Sequence, residues 1–564
     1  MDNDLNRSLR MLEESLASPG TTKFKERNKN RYADLSLTLL PHEYQHLMER
    51  DESLANTKIL LTGSSKPKEK NRSKLVDLSI TLAPHEVRYL MDGDTHTAYT
   101  SPFSTYLEGD KTIAGSILRA NEPWKSTANS LYNEFYETLQ AHSDGHEVFE
   151  IISDLARCCS DALQVIQGLK TKVSKEDDAE YAWLENEKNT WRLLFVLYQD
   201  RLSTLNLNKD EQIGGLYFGT SEKLCVSHLF KTDNLLRESQ LVIDWLEYSA
   251  AERDNETLHF ADMTVGWENT LHQLQSAETI VFESSRKIVS SLHPDAPHHE
   301  KLPLHDLDME DEARLCRRMF QEIRCGKLEQ AKALCVNCGH AWRAALLEGW
   351  RLFHNPNLSY DIVLDECMDT DSVDKETSVR EIMKEEDLQV TEGNANRDIW
   401  KKMAYLYCQK PYLNVYEKAA VAAYCGHLHA LLAVSNNWED NLWAYMRVLV
   451  DIRVESEIRD SIDKLYQQLP EEYWDQKMSL NKVFSCLEAS ENSTVRTEAK
   501  MQDYIIQKYV ILDEIPKLME ALNEWVEDPT TSSQFLRFVA HLVLFLELIG
   551  QSGQKDVTEK VVQA

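Results

Sequence analysis

The sequence predicts an all-α protein, an elongated α-solenoid of irregular helix pairs with a flexible N-terminal arm. Three observations carry that prediction. Glycine (18) and proline (14) are scarce in 564 residues, leaving few of the turns, bulges and left-handed positions that sandwiches, barrels and dinucleotide folds need. Apolar residues recur at three-and-four spacing over long stretches, the period of a helix with one buried face. A plan of helix, Gly, short helix and Trp-bearing helix also occurs twice, as a stack of helical units would produce.

A chain this long exceeds one compact core, so it must hold several domains or one extended stack. Its 42% hydrophobic fraction, with 12 Trp and 22 Tyr, suffices to bury real cores. Lys and Arg number 62 against 93 Asp and Glu, a net charge of −31, and such a field repels phosphate backbones, so no direct contact with nucleic acid is expected. The N-terminal MDNDLNRSLRMLEES lacks the basic and apolar regions of a signal peptide, so the 11 Cys read as reduced thiols. The most apolar run, FLRFVAHLVLFLELIG at 535–550, carries Arg537, His541 and Glu547 and is too short to span a bilayer. It predicts a buried helix, and no transmembrane segment.

Along the chain, residues 1–105 read as a flexible arm holding two near copies. KERNKNRYADLSLTLLPHEYQHLM at 25–48 returns as KEKNRSKLVDLSITLAPHEVRYLM at 68–91. In each, Thr38 or Thr81 precedes Pro41 or Pro84, a favourable helix start because proline gives up only an amide without an intrahelical partner. A tandem duplication in a solvated arm accounts for the copies; a duplicated docking peptide gaining from effective concentration is the alternative. Residues 106–290 predict an N-terminal helical solenoid, as in VFEIISDLARCCSDALQVIQGL, where Phe149, Ile152, Leu155 and Ala156 share one stripe. GGLYFGTS at 214–221 has the glycine spacing of a phosphate loop, but Thr220 stands where Lys is required and no strand leads in, so it reads as a turn.

Residues 291–312, rich in Pro and Asp, predict a loop. Its His293, His298, His299 and His305 stand among Asp295, Glu300 and Asp306, at spacings that match no metal-ligand template. Residues 313–360 predict helical repeats: Leu315, Met319 and Ile323 run up to Gly326, Leu328, Ala331, Leu334 and Cys335 up to Gly339, and Trp342, Ala345 and Leu346 face inward on a third helix. Cys335 and Cys338 with His340 approach the spacing of a metal site, but CxxC supplies two of four ligands and no second pair lies nearby, so they read as apolar packing. Cys425-Gly426-His427-Leu428 echoes Cys325-Gly326-Lys327-Leu328, and Leu442-Trp443-Ala444 echoes Ala341-Trp342-Arg343-Ala344. On this reading Trp342 and Trp443 are core anchors. Residues 361–396 predict an acidic loop or insert, and 397–564 a further solenoid with a break near SLNKVFSCLEASENSTV.

Taken together, PDAP at 294–297 with KLPLHDLDMEDEARL, CGHAWRAALLEGWRLFHNPN, EGNANRDIWKKMAY, YEKAAVAAYCGHL and NNWEDNLWAYMRVLVD resemble the 107-kDa nucleoporin family, a scaffold subunit of the Y-shaped outer-ring subcomplex of the nuclear pore. The resemblance implies a helical solenoid without enzymatic activity that binds other outer-ring scaffold nucleoporins, notably the 96-kDa partner. It implies a place in the nuclear envelope at the pore, support of pore assembly, protein transport and mRNA export, and a visit to kinetochores in mitosis. The chain ends at VTEKVVQA soon after the apolar run, so a C-terminally short form or fragment is expected, without the contact to the 133-kDa partner. Phe-Gly occurs once, at Phe218-Gly219, unlike the repeat nucleoporins of the transport barrier. No catalytic, cofactor-binding or metal residue is assigned and no cofactor is expected, because no motif converges on a chemistry. A helical subunit of another coat or vesicle-trafficking complex is the alternative, since fold alone does not settle function.

Overall fold

A computed structural model describes residues 123–142, 148–169, 175–207, 221–254, 257–260, 266–276, 287–355, 390–528 and 531–551. The duplicated arm, the glycine-rich stretch up to Thr220 and residues 356–389 of the acidic insert lie outside the described residues. Among the described residues the regular structure is α-helical, apart from one antiparallel bridge between His354 and Glu392. The all-α prediction is what the structure shows.

Helices α1 (Pro123–Ala141), α2 (Val148–Leu169) and α3 (Lys175–Leu207) pack in succession. The α2 stripe buries Ile152, Leu155 and Ala156, while Phe149 sits edge-on to Phe195 of α3 at 5.8 Å. From Glu187 to Asp200, α3 is buried on every side, so its polar residues must find partners inside the protein. Asp233 alone joins α4 (Glu222–Thr232) to α5 (Asn234–Arg253): its amide donates to the Leu229 carbonyl at 2.8 Å and its carboxylate accepts from the Leu236 amide at 3.1 Å. One residue closes one helix and caps the next, which makes the corner abrupt.

Next come α6 (Glu268–Ser276), α7 (Ala296–Glu300) and α8 (Asp306–Arg324). Both α7 and the first turns of α8 fall within the predicted loop at 291–312. His305 Nδ1 accepts from the Leu307 amide at 3.3 Å, and Asp306 and Asp308 occupy the first turn, where the helix dipole favours carboxylates. The acidic residues that suggested a loop are thus helix-starting residues.

The two related units follow as α8, α9 (Leu328–Asn337) and α10 (Ala341–Leu346), then, after α11 (Arg397–Cys408), α12 (Val415–Cys425), α13 (Leu428–Leu432) and α14 (Trp438–Ser461). Gly326 and Gly426 take φ of 70° and 74°, and the amides beyond them, Lys327 and His427, reach back to the carbonyls of Glu322 and Ala422 at 2.8 and 3.3 Å. These are left-handed helix stops, as the sequence predicted. A Cβ on Gly426 would stand 2.9 Å from the Tyr473 ring and closer still to the Asp451 carboxylate. We expect Gly426→Ala to cost at least about 1–2 kcal/mol from left-handed strain, with crowding adding to it. An unchanged thermal midpoint would contradict this. The units face one another through α8 and α12.

The chain then doubles back through α15 (Glu471–Asp475), α16 (Leu480–Glu488), α17 (Ser493–Glu498), α18 (Gln502–Ile511), α19 (Ile515–Val526) and α20 (Ser533–Leu548). The break expected near 479–495 is the short gap between α16 and α17. Helix α14 lies on α4 and α5, and α18 lies on α3. Phe538 and Phe545 of α20 meet Trp191 and Tyr198 of α3 at 5.1 and 6.0 Å. One contiguous hydrophobic cluster therefore runs from α1 to α20. The apolar run at 535–550 is a buried helix, and no helix among the described residues is long and apolar enough to cross a membrane.

Candidate functional site

The groups with latent chemistry are the Cys335–His340 segment, the histidines at 293–305 and the charged residues inside the stack. Cys335 is fully buried in the last turn of α9, its Sγ 3.3 Å from Met319 Sδ. Burial pushes its thiol up to about 11 and raises that of Cys338, so neither is a thiolate at neutral pH. Each packs as a small hydrophobe. Gly339, at φ 80°, turns the chain so that His340 approaches Arg343, which donates from Nη1 to its Nδ1 at 2.8 Å. Among the described residues no group of three or more His, Cys, Asp and Glu is placed to hold a metal ion.

Burial, and then the Arg343 guanidinium, push His340 down to about 4; burial also lowers His427 and His541. In the unfolded chain histidine titrates near 6.5, so below that pH the unfolded state binds more protons than the folded one. Stability should fall as pH drops from about 6.5 to about 4, with a slope of at most about 1.4 kcal/mol per pH unit for each histidine. His340→Asn should flatten that slope whatever it does to the midpoint at pH 7. Denaturation midpoints across the window test this, and an unaltered slope in the variant refutes it.

The histidines at 293–305 serve local structure. His305 caps α8, His293 Nδ1 accepts from the Asp295 amide at 3.2 Å, and His298 stacks on Tyr412 with ring centroids 3.7 Å apart. Glu300 accepts from the Ser290 amide at 2.6 Å. Ser221, at the end of the glycine-rich stretch, caps α4 and hydrogen-bonds His354 Nδ1 at 2.8 Å.

On α10 the inward residues are Arg343 and Ala344; Trp342 and Leu346 are half-buried and Ala345 is exposed. The inward face assigned from sequence is therefore rotated. The cause lies on other helices: Arg343 is held by Glu417 of α12 at 3.2 Å and by Glu312 of α8, and Tyr407 donates to the same Glu417 at 2.8 Å. Trp342 lies over the Arg343 guanidinium, 4.3 Å from ring centroid to Cζ, and is no core anchor. Trp443 is one. It is fully buried, donates from Nε1 to Glu247 of α5 at 2.9 Å, and meets Phe320 of α8 at 6.2 Å. Trp443→Ala should cost about 3–5 kcal/mol, whereas Trp342→Ala should cost about 1 kcal/mol. Equal losses in chemical denaturation would overturn the assignment.

Sequence reasoning missed the buried charges. Arg397 of α11 bridges Glu222 of α4 at 2.9 Å and Glu455 of α14 at 2.8 Å; Lys401, one turn on, reaches Asp451 at 2.8 Å and Glu455 at 3.1 Å. Arg459 also donates to Glu455 at 2.7 Å. Burial alone would raise the Glu455 carboxyl, but these cations hold it well below the usual range. Farther along the stack Arg537 of α20 donates twice to Glu187 of α3, at 2.8 and 2.6 Å. A cleft of about 380 Å³ bordered by Gln164, Tyr181, Glu185 and Arg253 contains Lys188, which already donates to Glu252 at 2.7 Å. These groups are spent on one another across helix seams, and among the described residues no nucleophile and base converge on that cleft. The only sequence signal was Arg and Lys in phase with buried positions.

The Nuclear pore protein 84 / 107 family model matches residues 181–564. Nuclear pore complex protein Nup107 of Drosophila melanogaster is 39% identical over 454 residues, covering 78% of this chain and 51% of that protein. The Homo sapiens protein of the same name is 35% identical over 478 residues, covering 82% and 49%, and nucleoporin nup107 of Schizosaccharomyces pombe is 23% identical over 442 residues, covering 75% and 50%. The chain spans about half the length of these relatives. A match over most of the chain, on a helical stack of the kind its motifs implied, means that this chain belongs to the nuclear pore protein 84 / 107 family.

Proposed function

We propose that the chain is a structural subunit of the nuclear pore complex, a scaffold of its outer ring that works by binding neighbouring nucleoporins rather than by catalysis. The observation that carries this reading is the family match over residues 181–564. The geometry supports it: the buried charges are consumed in holding helices together, leaving helical surfaces as the means of action. On this reading the chain resides in the nuclear envelope at the pore and supports pore assembly, protein transport and mRNA export, and it joins kinetochores in mitosis. Its helical region contacts the 96-kDa partner of the Y-shaped subcomplex.

The test is affinity purification of the tagged chain from nuclear extract with a high-salt wash, paired with fluorescence imaging. Co-purification of outer-ring nucleoporins and a nuclear-rim signal are expected. Vesicle-coat or tethering subunits with a punctate endomembrane signal would overturn the proposal.

A further inference from the structure

Helix α11 carries apolar residues on its outer side as well as on its core side. Its core-facing residues are Arg397, Asp398, Lys401, Ala404, Tyr405 and Cys408, half of them charged. The opposite side carries Ile399, Met403 and Leu406, at the i, i+4, i+7 spacing of a single stripe along about 10 Å of helix. Ile399 is 48% exposed and Met403 60%, and Leu406 is half-buried. An amphipathic helix ordinarily turns its apolar stripe to the core. Here the core side is fixed by ion pairs to α4 and α14, so the helix cannot rotate to hide the stripe without orphaning Arg397 and Lys401.

A stripe of this length and spacing is what one helix presents to another in ridge-and-groove packing. Its flanks state the charge of the occupant. Lys402 is half-buried beside the stripe and Lys410 is exposed just past the C-cap Gln409, and neither makes an ion pair among the described residues. Two unpaired lysines beside an apolar stripe suit a helix with acidic flanks. A second copy of this chain applying the same face would set these lysines against their own counterparts, which disfavours self-association there.

We propose that the outer face of α11 is a docking surface for an amphipathic helix of another protein chain, with an apolar stripe seated on Ile399, Met403 and Leu406 and carboxylates against Lys402 and Lys410. This rests on the scaffold reading above and names one surface through which that scaffold binds.

The test places a photo-crosslinking amino acid at position 403 of the full chain in nuclear extract and identifies the crosslinked peptide by mass spectrometry. The expected product joins position 403 to an outer-ring nucleoporin, within a segment whose apolar residues recur at helical spacing and whose flanks are Asp or Glu. In parallel, Met403→Asp and the pair Lys402→Glu with Lys410→Glu should each weaken retention of that protein about tenfold or more. Their thermal midpoints should stay near that of the unaltered chain, because none of these side chains is in the core. A crosslink to residues 356–389 of the same chain, to a second copy or to a segment without acidic flanks would overturn the proposal, as would none above that at exposed Val336. Indifference to the lysine reversal would overturn its electrostatic part. If outer-ring nucleoporins co-purify while the crosslink fails, this inference alone falls; if none co-purify, the scaffold reading falls with it.

Discussion

Glu455→Leu should lower stability by about 3–5 kcal/mol, among the largest losses available from one substitution in this chain. Glu455 is fully buried and accepts from Arg397, Lys401 and Arg459 at 2.7–3.1 Å. Removing it strips Arg459 of a partner and leaves Arg397 and Lys401 with Glu222 and Asp451 alone. The penalty is dominated by buried cations left short of compensation, which water cannot supply. Glu222→Leu should cost less, because Arg397 keeps Glu455. The comparison is denaturant unfolding of both variants beside Glu514→Leu, which removes the half-buried partner of exposed Lys517. A Glu455 variant no weaker than that surface control would show that the seam contributes little. The contribution also has a pH dependence. Because the folded carboxyl is held far below its unfolded value near 4.3, stability from Glu455 is present above that value and lost as pH falls below it. Glu252 adds to the same acid window. Burial would raise its carboxyl, but Arg192 and Lys188 bring it down to about 2.

The second large effect is Arg537→Leu, again about 3–5 kcal/mol, because Glu187 would be left as a buried carboxylate inside α3. The two side chains are almost wholly shielded from solvent, and α3 and α20 stand some 350 residues apart in the chain. Replacing both with leucine should recover most of the loss, since a pair of apolar side chains of similar size leaves no charge behind. A double-mutant cycle measures this directly. If the double variant is as unstable as the sum of the singles, the cost lies in packing around Phe135, over which the Arg537 guanidinium sits at 4.3 Å, and not in the orphaned charge.

The Glu187–Arg537 pair also shows where reading the sequence stops. Nothing near Glu187 in the chain identifies its partner, and nothing in FLRFVAHLVLFLELIG marks Arg537 as more than an interruption of an apolar run. The helix-pair repeat was legible because it is local: Gly326 and Gly426 end their helices through left-handed geometry set within a few residues. Trp342 was misread for the opposite reason. Its apolar bulk argued for burial, but Glu417 and Glu312, on other helices, drew Arg343 inward and turned the Trp to the edge. In α8, His305 and the acidic residues after it resembled a loop, and only their hydrogen bonds show that they start a helix.

By itself the sequence determined the helical class, the glycine stops, the buried nature of the run at 535–550 and the family resemblance, because propensity, capping and apolar period act over a few residues. Tertiary structure decided the doubling back of the stack, the identity of its charged seams and the outward apolar stripe of α11. Those outcomes depend on which distant helices meet, and a buried charge goes where its counter-charge lies.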